Sequence, residues 1–171
     1  MGAKILITGG VNSGKSDHAL QIGDSVPGDK IFVATARPMD EEMSSRIEKH
    51  RLGRGAHWRT IEEPLDVASV LDGGKTGVFL LDCLTVWTSN LLEAKGADGF
   101  GREAARLASA VEACRGTVIM VTNEVGFGII PADERTRAYG DRLGMLNRKM
   151  ASVCDRVILL VAGLPIIIKG G

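Results

Sequence analysis

Gly9-Gly10-Val11-Asn12-Ser13-Gly14-Lys15-Ser16 satisfies the pattern G-x-x-x-x-G-K-[ST], and it follows directly on the strand-like run Lys4-Ile5-Leu6-Ile7-Thr8. A strand, this loop and then a helix is the context that distinguishes a P-loop from a chance glycine turn. Glycines let backbone N–H groups curl around phosphate oxygens with no Cβ in the way, and the helix that follows points its positive end at the anion. Gly9, Gly10, Val11, Asn12, Ser13 and Gly14 are therefore expected to form the cradle. Lys15 is expected to act on the β and γ phosphates, and Ser16 to offer its hydroxyl to Mg²⁺.

Outward from this loop, continuous apolar runs rich in Val and Ile recur between helical patterns. That alternation predicts a parallel sheet covered on both faces. The strands are expected at Lys4–Thr8, Lys30–Ala36, Gly77–Asp82, Thr117–Thr122 and Arg156–Ala162. Leu164–Lys169 adds an edge strand, and the Gly163-Leu164-Pro165 link is too short for a parallel crossover, so this strand should pair antiparallel. Helices are expected at Lys15–Gly23, Asp40–Gly53, Leu65–Leu71, Leu84–Ala94, Arg102–Cys114 and Asp133–Val153, with Gly73-Gly74 and Gly96 to Gly101 as loops. The βα alternation has no break, which predicts a single α/β domain over residues 1–171.

Composition restricts the function. Glycine takes 22 of 171 positions, nearly twice the roughly 7% of an average chain, so the backbone must turn or approach a ligand closely at many points. Lys plus Arg is 21 and Asp plus Glu is 21. With no global field, the chain is not expected to bind nucleic acid, and any polyanion site must be local. Cys83, Cys114 and Cys154 are odd in number and form no CxxC arrangement, which predicts reduced, mostly buried thiols. The start MGAKILITGG lacks the apolar stretch of a signal peptide. The longest apolar run, Val157 to Ile168, is interrupted by Gly163 and Pro165 and is too short for a bilayer. A cytoplasmic protein with no membrane span is expected.

The remaining signals narrow the chemistry. Asp82 closes an apolar strand, where a P-loop protein places a second group on the magnesium side. It also fits a helix cap before Leu84. Asn123 and Glu124 follow the next strand, at the carboxyl edge where open α/β sheets bind ligands. The D-x-x-G and N-K-x-D signatures of a regulatory GTPase are absent, and no basic stripe suits a nucleic-acid motor. A small-molecule transferase or kinase is left.

Between Arg37 and Glu63, twelve of 27 residues are charged, which by itself describes a solvated helix face. In a helix, Arg46, His50 and Arg54 would stack on one side, four residues apart. Flanking positive charge favours neutral imidazole, the form a nucleophile needs, and the arginines would suit a polyphosphate or departing pyrophosphate. A covalent histidine intermediate and a plain surface histidine are both compatible with that spacing.

Several blocks together carry a resemblance that covers essentially the whole chain. They are ILITGGVNSGKS (5 to 16), FVATA (32 to 36), DEEMSSRIEKH (40 to 50), HWRTIEEP (57 to 64), LLDCLTVWTSNLL (80 to 92), VTNEVGFGIIP (121 to 131), LGMLNRKMA (143 to 151) and VAGLPIIIK (161 to 169). In order and spacing this resembles the bifunctional adenosylcobinamide kinase/adenosylcobinamide-phosphate guanylyltransferase family of cobalamin biosynthesis. The resemblance implies a RecA-like P-loop fold, a homo-oligomer, and two reactions at one active region. Adenosylcobinamide is phosphorylated by ATP or GTP. GTP then guanylylates a histidine, and the GMP passes to adenosylcobinamide phosphate, giving adenosylcobinamide-GDP and pyrophosphate. The family's histidine falls on His50. Its nucleotide contacts fall on the P-loop residues, on Ala34, Thr35 and Ala36, on Arg51, Leu52, Gly53 and Arg54, and on Glu62 and Asp82, with Ser16 and Asp82 toward the metal.

The chain departs from the family's pattern at two points. Val11-Asn12 stands where the family usually has Ala-Arg, which removes a positive side chain near the phosphates and leaves the backbone cradle intact. Gly55 stands where proline is common, which loosens that link. A P-loop kinase for an unrelated hydroxyl and a non-catalytic nucleotide-binding subunit are the alternative readings.

Overall fold

A computed structural model describes residues 1–37, 53–72, 75–128 and 130–171. The expected helix from Asp40, with Arg46 and His50, lies outside the described residues, as do Arg51, Leu52, Gly73 and Gly74. Among the described residues the strands are β1 (Lys4–Gly9), β2 (Lys30–Ala34), β3 (Trp58–Glu62), β4 (Val78–Asp82), β5 (Thr117–Val121), β6 (Arg156–Val161) and β7 (Leu164–Lys169). The helices are α1 (Lys15–Ser25), α2 (Val67–Leu71), α3 (Leu84–Ala113) and α4 (Glu134–Val153). The strands form one sheet in the order β3-β2-β4-β5-β1-β6-β7. Every pairing is parallel except β6 with β7, which is antiparallel as the short link requires.

Both faces of the sheet are buried because side chains alternate along each strand. Leu6, Phe79, Leu81, Val118 and Met120 point to one face and pack with Trp87, Leu91, Phe100, Leu107, Leu146 and Met150 of α3 and α4. Ile5, Ile7, Leu80, Ile119 and Val121 point to the other, with Phe32, Trp58, Ile158, Leu160 and Ala19 of α1. A strand buried on both sides reads as an unbroken apolar run, which is why the central strands stand out in the sequence.

Two expectations are corrected, each for a local reason. No strand is expected after His57, yet Trp58–Glu62 is strand β3, paired in register with β2 from Lys30↔Trp58 to Ala34↔Glu62. As an edge strand it buries Trp58 and leaves Arg59, Thr60 and Glu62 exposed, so it lacks an apolar run. Gly23 makes room for Trp58, since a Cβ there would stand 2.7 Å from the indole, and the indole N–H donates to Asp24 Oδ1 at 2.9 Å. The glycines at 96 to 101 do not make a loop of that length. Two helical stretches run on from Leu84 to Ala113 across a kink at Gly96, which alone leaves helical geometry, at φ 65° and ψ −172°, so the expected break is present but confined to one residue. Buried Phe100, 2% exposed, holds the segment against the core despite its poor intrinsic helix propensity.

The order of connections positions a crevice. From β1 the chain runs through α1 toward β2, on one side of the sheet's centre, and from β5 it runs through α4 to β6, on the other. β1 and β5 are neighbours, so their carboxyl ends flank the point where connections diverge, which is where open α/β sheets hold ligands.

At the opposite edge, the Lys4 side chain is 5% exposed. Its ammonium donates to the carbonyls of Cys114 at 2.7 Å, Gly116 at 2.5 Å and Gly2 at 3.2 Å. Burial holds its pKa below 10.5, with Cys114, Asp155 and Cys154 pulling the other way. Lys4→Met keeps most of the stem but leaves the buried carbonyls without their donor. Urea unfolding should show a loss of about 1–3 kcal/mol. Between the lowered native pKa and 10.5, the unfolded chain keeps a proton that the native chain has released, so the stability due to Lys4 rises with pH across that window. The gap between the wild type and Lys4→Met should therefore widen as pH climbs toward 10.5.

Candidate active site

The register of the sheet assembles the site. Glu62 pairs with Ala34, Ala34 with Asp82, Asp82 with Val121, and Val121 with Ile7. Residues far apart in the chain thus form one row at the carboxyl edge, and the P-loop begins just past Ile7.

The loop turns as its residues demand. Gly9 has φ 150° and Gly14 φ 87°. A Cβ on Gly9 would stand 2.5 Å from the Leu160 carbonyl oxygen, so no side chain fits. Asn12 has φ 55°, and asparagine is among the few residues other than glycine that enter this left-handed region readily. Gly14 caps α1 and its carbonyl accepts from His18 N–H at 3.0 Å, so the helix starts at Lys15 with its N-terminus toward the loop. The Lys15 ammonium donates to Gly10 O at 2.5 Å and approaches Ser13 Oγ at 3.3 Å. Burial lowers its pKa from 10.5, opposed by the nearby Cys83 and Asp82.

These elements enclose a cavity of about 270 Å³, lined by Val11, Asn12, Lys15, Ser16, Ala34, Ala36, Arg54, Asp82 and Asn123 together with Phe32, Cys83, Val86 and Val121. Eight residues expected from the sequence as nucleotide contacts are therefore brought together, along with Asn123. Gly9, Gly10, Ser13 and Gly14 shape the loop behind them. Glu62 ends the row on the edge strand and is exposed. Gly53 lies in a turn.

Thr35 takes a different part. It is fully buried, its hydroxyl donates to Cys83 O and accepts from Cys83 N–H, both at 2.9 Å, and its own N–H reaches Asp82 O at 3.2 Å. Its carbonyl accepts from Asn90 Nδ2 at 2.9 Å, and the same amide reaches Pro64 O at 3.1 Å. Thr35 thereby pins the end of β2 to the end of β4 and holds Ala34, Ala36 and Asp82 at their places around the cavity.

Arg54 does not continue a helix beyond position 50. It lies in a bend after Gly53, with its guanidinium carbon 3.8 Å from the centre of the Phe32 ring. Glycines at 53 and 55 disfavour helix here, and the aromatic face supplies a cation–π partner. Sequence reading missed Phe32 as a cavity residue, because a phenylalanine in a core strand carries no sign of which edge it reaches.

Cys83 is the other reactive group on the cavity wall. Burial, with the charge of Asp82 behind it, pushes its thiol up to about 11, so it is not a nucleophile near neutrality. Burial likewise pushes Cys154 up to about 12, and all three cysteines are free.

On the far side of β5, Asn123 and Glu124 are fixed by α4. The Asn147 side chain donates to Asn123 O at 3.0 Å and to Glu124 Oε1 at 3.1 Å, and accepts from Thr122 Oγ1 at 2.7 Å. Thr8 Oγ1 also donates to Glu124 Oε1 at 3.1 Å, and Glu124 N–H donates to Gly9 O at 3.1 Å. Asn147 was not foreseen from the sequence. A polar residue on the buried face of a helix is the signal that would have found it.

A glycine loop of the P-loop pattern at a topological switch point, with a lysine, a hydroxyl and a carboxylate on one cavity, defines a P-loop α/β fold. Solved structures agree on the fold. The type III secretion ATPase EscN from enteropathogenic E. coli superimposes with TM-score 0.61 at 15% identity, over 94% of this chain and 43% of that one. A further ATPase domain gives TM-score 0.50 at 10% identity, over 92% of this chain and 68% of that one. Both place the chain among RecA-like folds.

Sequence comparison gives the particular family. The family model CobU, cobinamide kinase / cobinamide phosphate guanyltransferase, matches residues 5–168. The bifunctional adenosylcobalamin biosynthesis protein CobP of Pseudomonas aeruginosa is 40% identical over 169 residues, 96% of each chain. The corresponding protein CobU of Escherichia coli is 39% identical over 181 aligned residues, covering 96% of this chain and 99% of that one. The chain belongs to this family of bifunctional cobinamide kinases and cobinamide phosphate guanylyltransferases. The readings as a kinase for an unrelated hydroxyl and as a non-catalytic subunit are set aside.

The clamp at Thr35 is open to test. Thr35→Val leaves the buried Cys83 N–H without its acceptor and should cost about 1–3 kcal/mol in urea unfolding. It should also weaken nucleotide binding, read by titration calorimetry, because Asp82 and Ala36 lose their fixed spacing. Thr35→Ser should behave close to the wild type in both measurements.

Proposed function

We propose that both reactions use the one cradle, with the triphosphate on the loop from Gly9 to Ser16 and His50 as the guanylyl acceptor. The observation that carries this reading is the convergence of Lys15, Ser16 and Asp82 on a single cavity beside the loop. In the kinase step the aminopropanol hydroxyl oxygen of adenosylcobinamide attacks the γ phosphorus, the bond to the β–γ bridging oxygen breaks, and the nucleoside diphosphate leaves. In the transferase step an imidazole nitrogen of His50 attacks the α phosphorus of GTP, the bond to the β phosphate breaks, and pyrophosphate leaves. A phosphate oxygen of adenosylcobinamide phosphate then attacks that phosphorus, the P–N bond breaks, and adenosylcobinamide-GDP is released with His50 restored.

Each side chain has a role that follows from its chemistry. The Lys15 ammonium and the loop N–H groups meet the negative charge of the phosphates. Arg54, stacked on Phe32, extends positive charge to the cavity's outer wall, where departing phosphate oxygens gather. The Ser16 hydroxyl and Asp82 carboxylate line the same cavity, and hard oxygen donors of this kind, few in number, suit a Mg²⁺ that keeps its remaining positions for phosphate and water. Mg²⁺, when bound, offsets charge on the phosphates. Ala34, Ala36, Arg51, Leu52, Gly53 and Glu62 complete the nucleotide contacts in this reading.

The chain is further expected to self-associate. β7 pairs with β6 on one side only, is exposed along its length, and presents Leu164, Ile166 and Ile167 at 49–70% exposure, an edge that natural proteins seldom leave uncovered. Among the described residues no helix is long and apolar enough to cross a membrane. Light scattering should give a mass that is a multiple of the 18.2 kDa chain.

Label placement tests the mechanism. With magnesium and GTP labelled at the α phosphorus, the protein should acquire acid-labile, alkali-stable label that is absent from His50→Ala. No protein label under turnover conditions would sink the covalent route. Transfer of γ label to adenosylcobinamide reads the kinase step, and Lys15→Ala should lower both signals by about a hundredfold or more.

A further inference from the structure

We propose that Glu124 is the carboxylate that takes the hydroxyl proton of the acceptor in the kinase step, and that the groove between α4 and β1, β6 and β7 admits the aminoalcohol arm carrying that hydroxyl. The proposal rests on the reading that the triphosphate lies on the P-loop. Its geometric basis is the strand end after β5, where two consecutive residues face two different spaces. Asn123 lines the nucleotide cavity, and Glu124 lines a second groove of about 460 Å³ with Leu6, Asp141, Met145, Asn147 and Ile168 among its walls. Glu124 stands beside the start of the P-loop, its N–H bonded to the carbonyl of Gly9.

The carboxylate is held as a base should be held. Thr8 and Asn147 both donate to Oε1. Among the described residues none bonds Oε2, which leaves that oxygen to accept a proton. Asn147 is 7% exposed and locked by Thr122 and Asn123, so it acts as a positioning residue for Glu124.

The groove itself is kept open at a cost to the helix. Gly140 and Gly144 lie inside α4, one turn apart, and both line the groove. Glycine in a helix interior is unfavourable and needs a reason. Packing does not supply one, since a Cβ on Gly144 would meet nothing within 4 Å and one on Gly140 only Val125 at 3.9 Å. What the two glycines preserve is the empty face of the helix beside Glu124. Met145 and Ile168, at 46% and 60% exposure, form an apolar rim suited to a macrocycle lying outside while its arm enters. In the step itself the acceptor oxygen bonds to the γ phosphorus, the bond from that phosphorus to the β–γ bridging oxygen breaks, and the hydroxyl proton passes to Glu124 Oε2 and on to solvent.

Glu124→Gln keeps an amide oxygen to accept from Thr8 and Asn147 and removes only the basic charge. In this variant kcat for γ-label transfer to adenosylcobinamide should fall about a hundredfold or more, with KM for the nucleotide and the α-label on the protein unchanged. Gly144→Met, which fills the groove, should raise KM for adenosylcobinamide about tenfold or more and likewise leave the protein label unchanged. Wild-type γ transfer in Glu124→Gln overturns the base, and an unchanged KM in Gly144→Met overturns the groove. Loss of both labels in Glu124→Gln also overturns the proposal, because it makes Glu124 a support of the nucleotide site. If the wild type itself transfers neither label, the nucleotide reading fails first, a result distinct from all of these.

Discussion

The close approach of β1 to β6 at Gly9 governs everything built at this end of the sheet. A Cβ at that position would stand 2.5 Å from the Leu160 carbonyl oxygen and 2.8 Å from Ser13 Oγ. With no side chain there, β1 runs to its last residue between two parallel neighbours, and the loop can turn at once into α1. Both the cradle and the helix N-terminus behind it follow from that turn. The parallel sheet then does the rest, since a register without slips sets Ala34, Asp82 and Val121 level with the loop.

Two polar clamps keep that edge from loosening where the ladder ends. Thr35 joins β2 to β4 through both backbone groups of Cys83. Asn147 joins β5 to α4 and, with Thr8, fixes Glu124. Each clamp is buried, and an unmet partner in such a place is costly, so their geometry is sharply defined. The P-loop cavity and the second groove lie on either side of β5's end, each steadied by one clamp.

Family membership and local chemistry contribute separately. A P-loop serves many reactions, and nothing in its backbone says which phosphorus is attacked. The family match over residues 5–168 supplies the pair of activities. The structure of this chain brings to one cavity a buried lysine on the loop, the side chains of Ser16 and Asp82, an arginine stacked on Phe32, and a cysteine kept inert by burial. The substitution of Val11-Asn12 within the loop is accommodated structurally, since Val11 is 73% exposed and Asn12 takes the left-handed backbone its residue type tolerates.

The P-loop, the central strands, the antiparallel β7 and the position of Asp82 at a strand end could all be read from the chain before it folds. These are local or periodic signals, and strands buried on both faces cannot hide them. Strand β3 went unread because an edge strand alternates, and the break in α3 was legible at Gly96 but was drawn too long, because helix propensity is local while the anchoring of Phe100 is not. Thr35 was legible as a position but its role as a clamp was not, Phe32 gave no sign of the edge it reaches, and Asn147 showed only as a polar residue on a buried helix face. Folding settled these, and the cause is common to all of them. Which oxygen meets which N–H across strands far apart in the chain depends on register and packing, and neither is written in any short stretch of sequence.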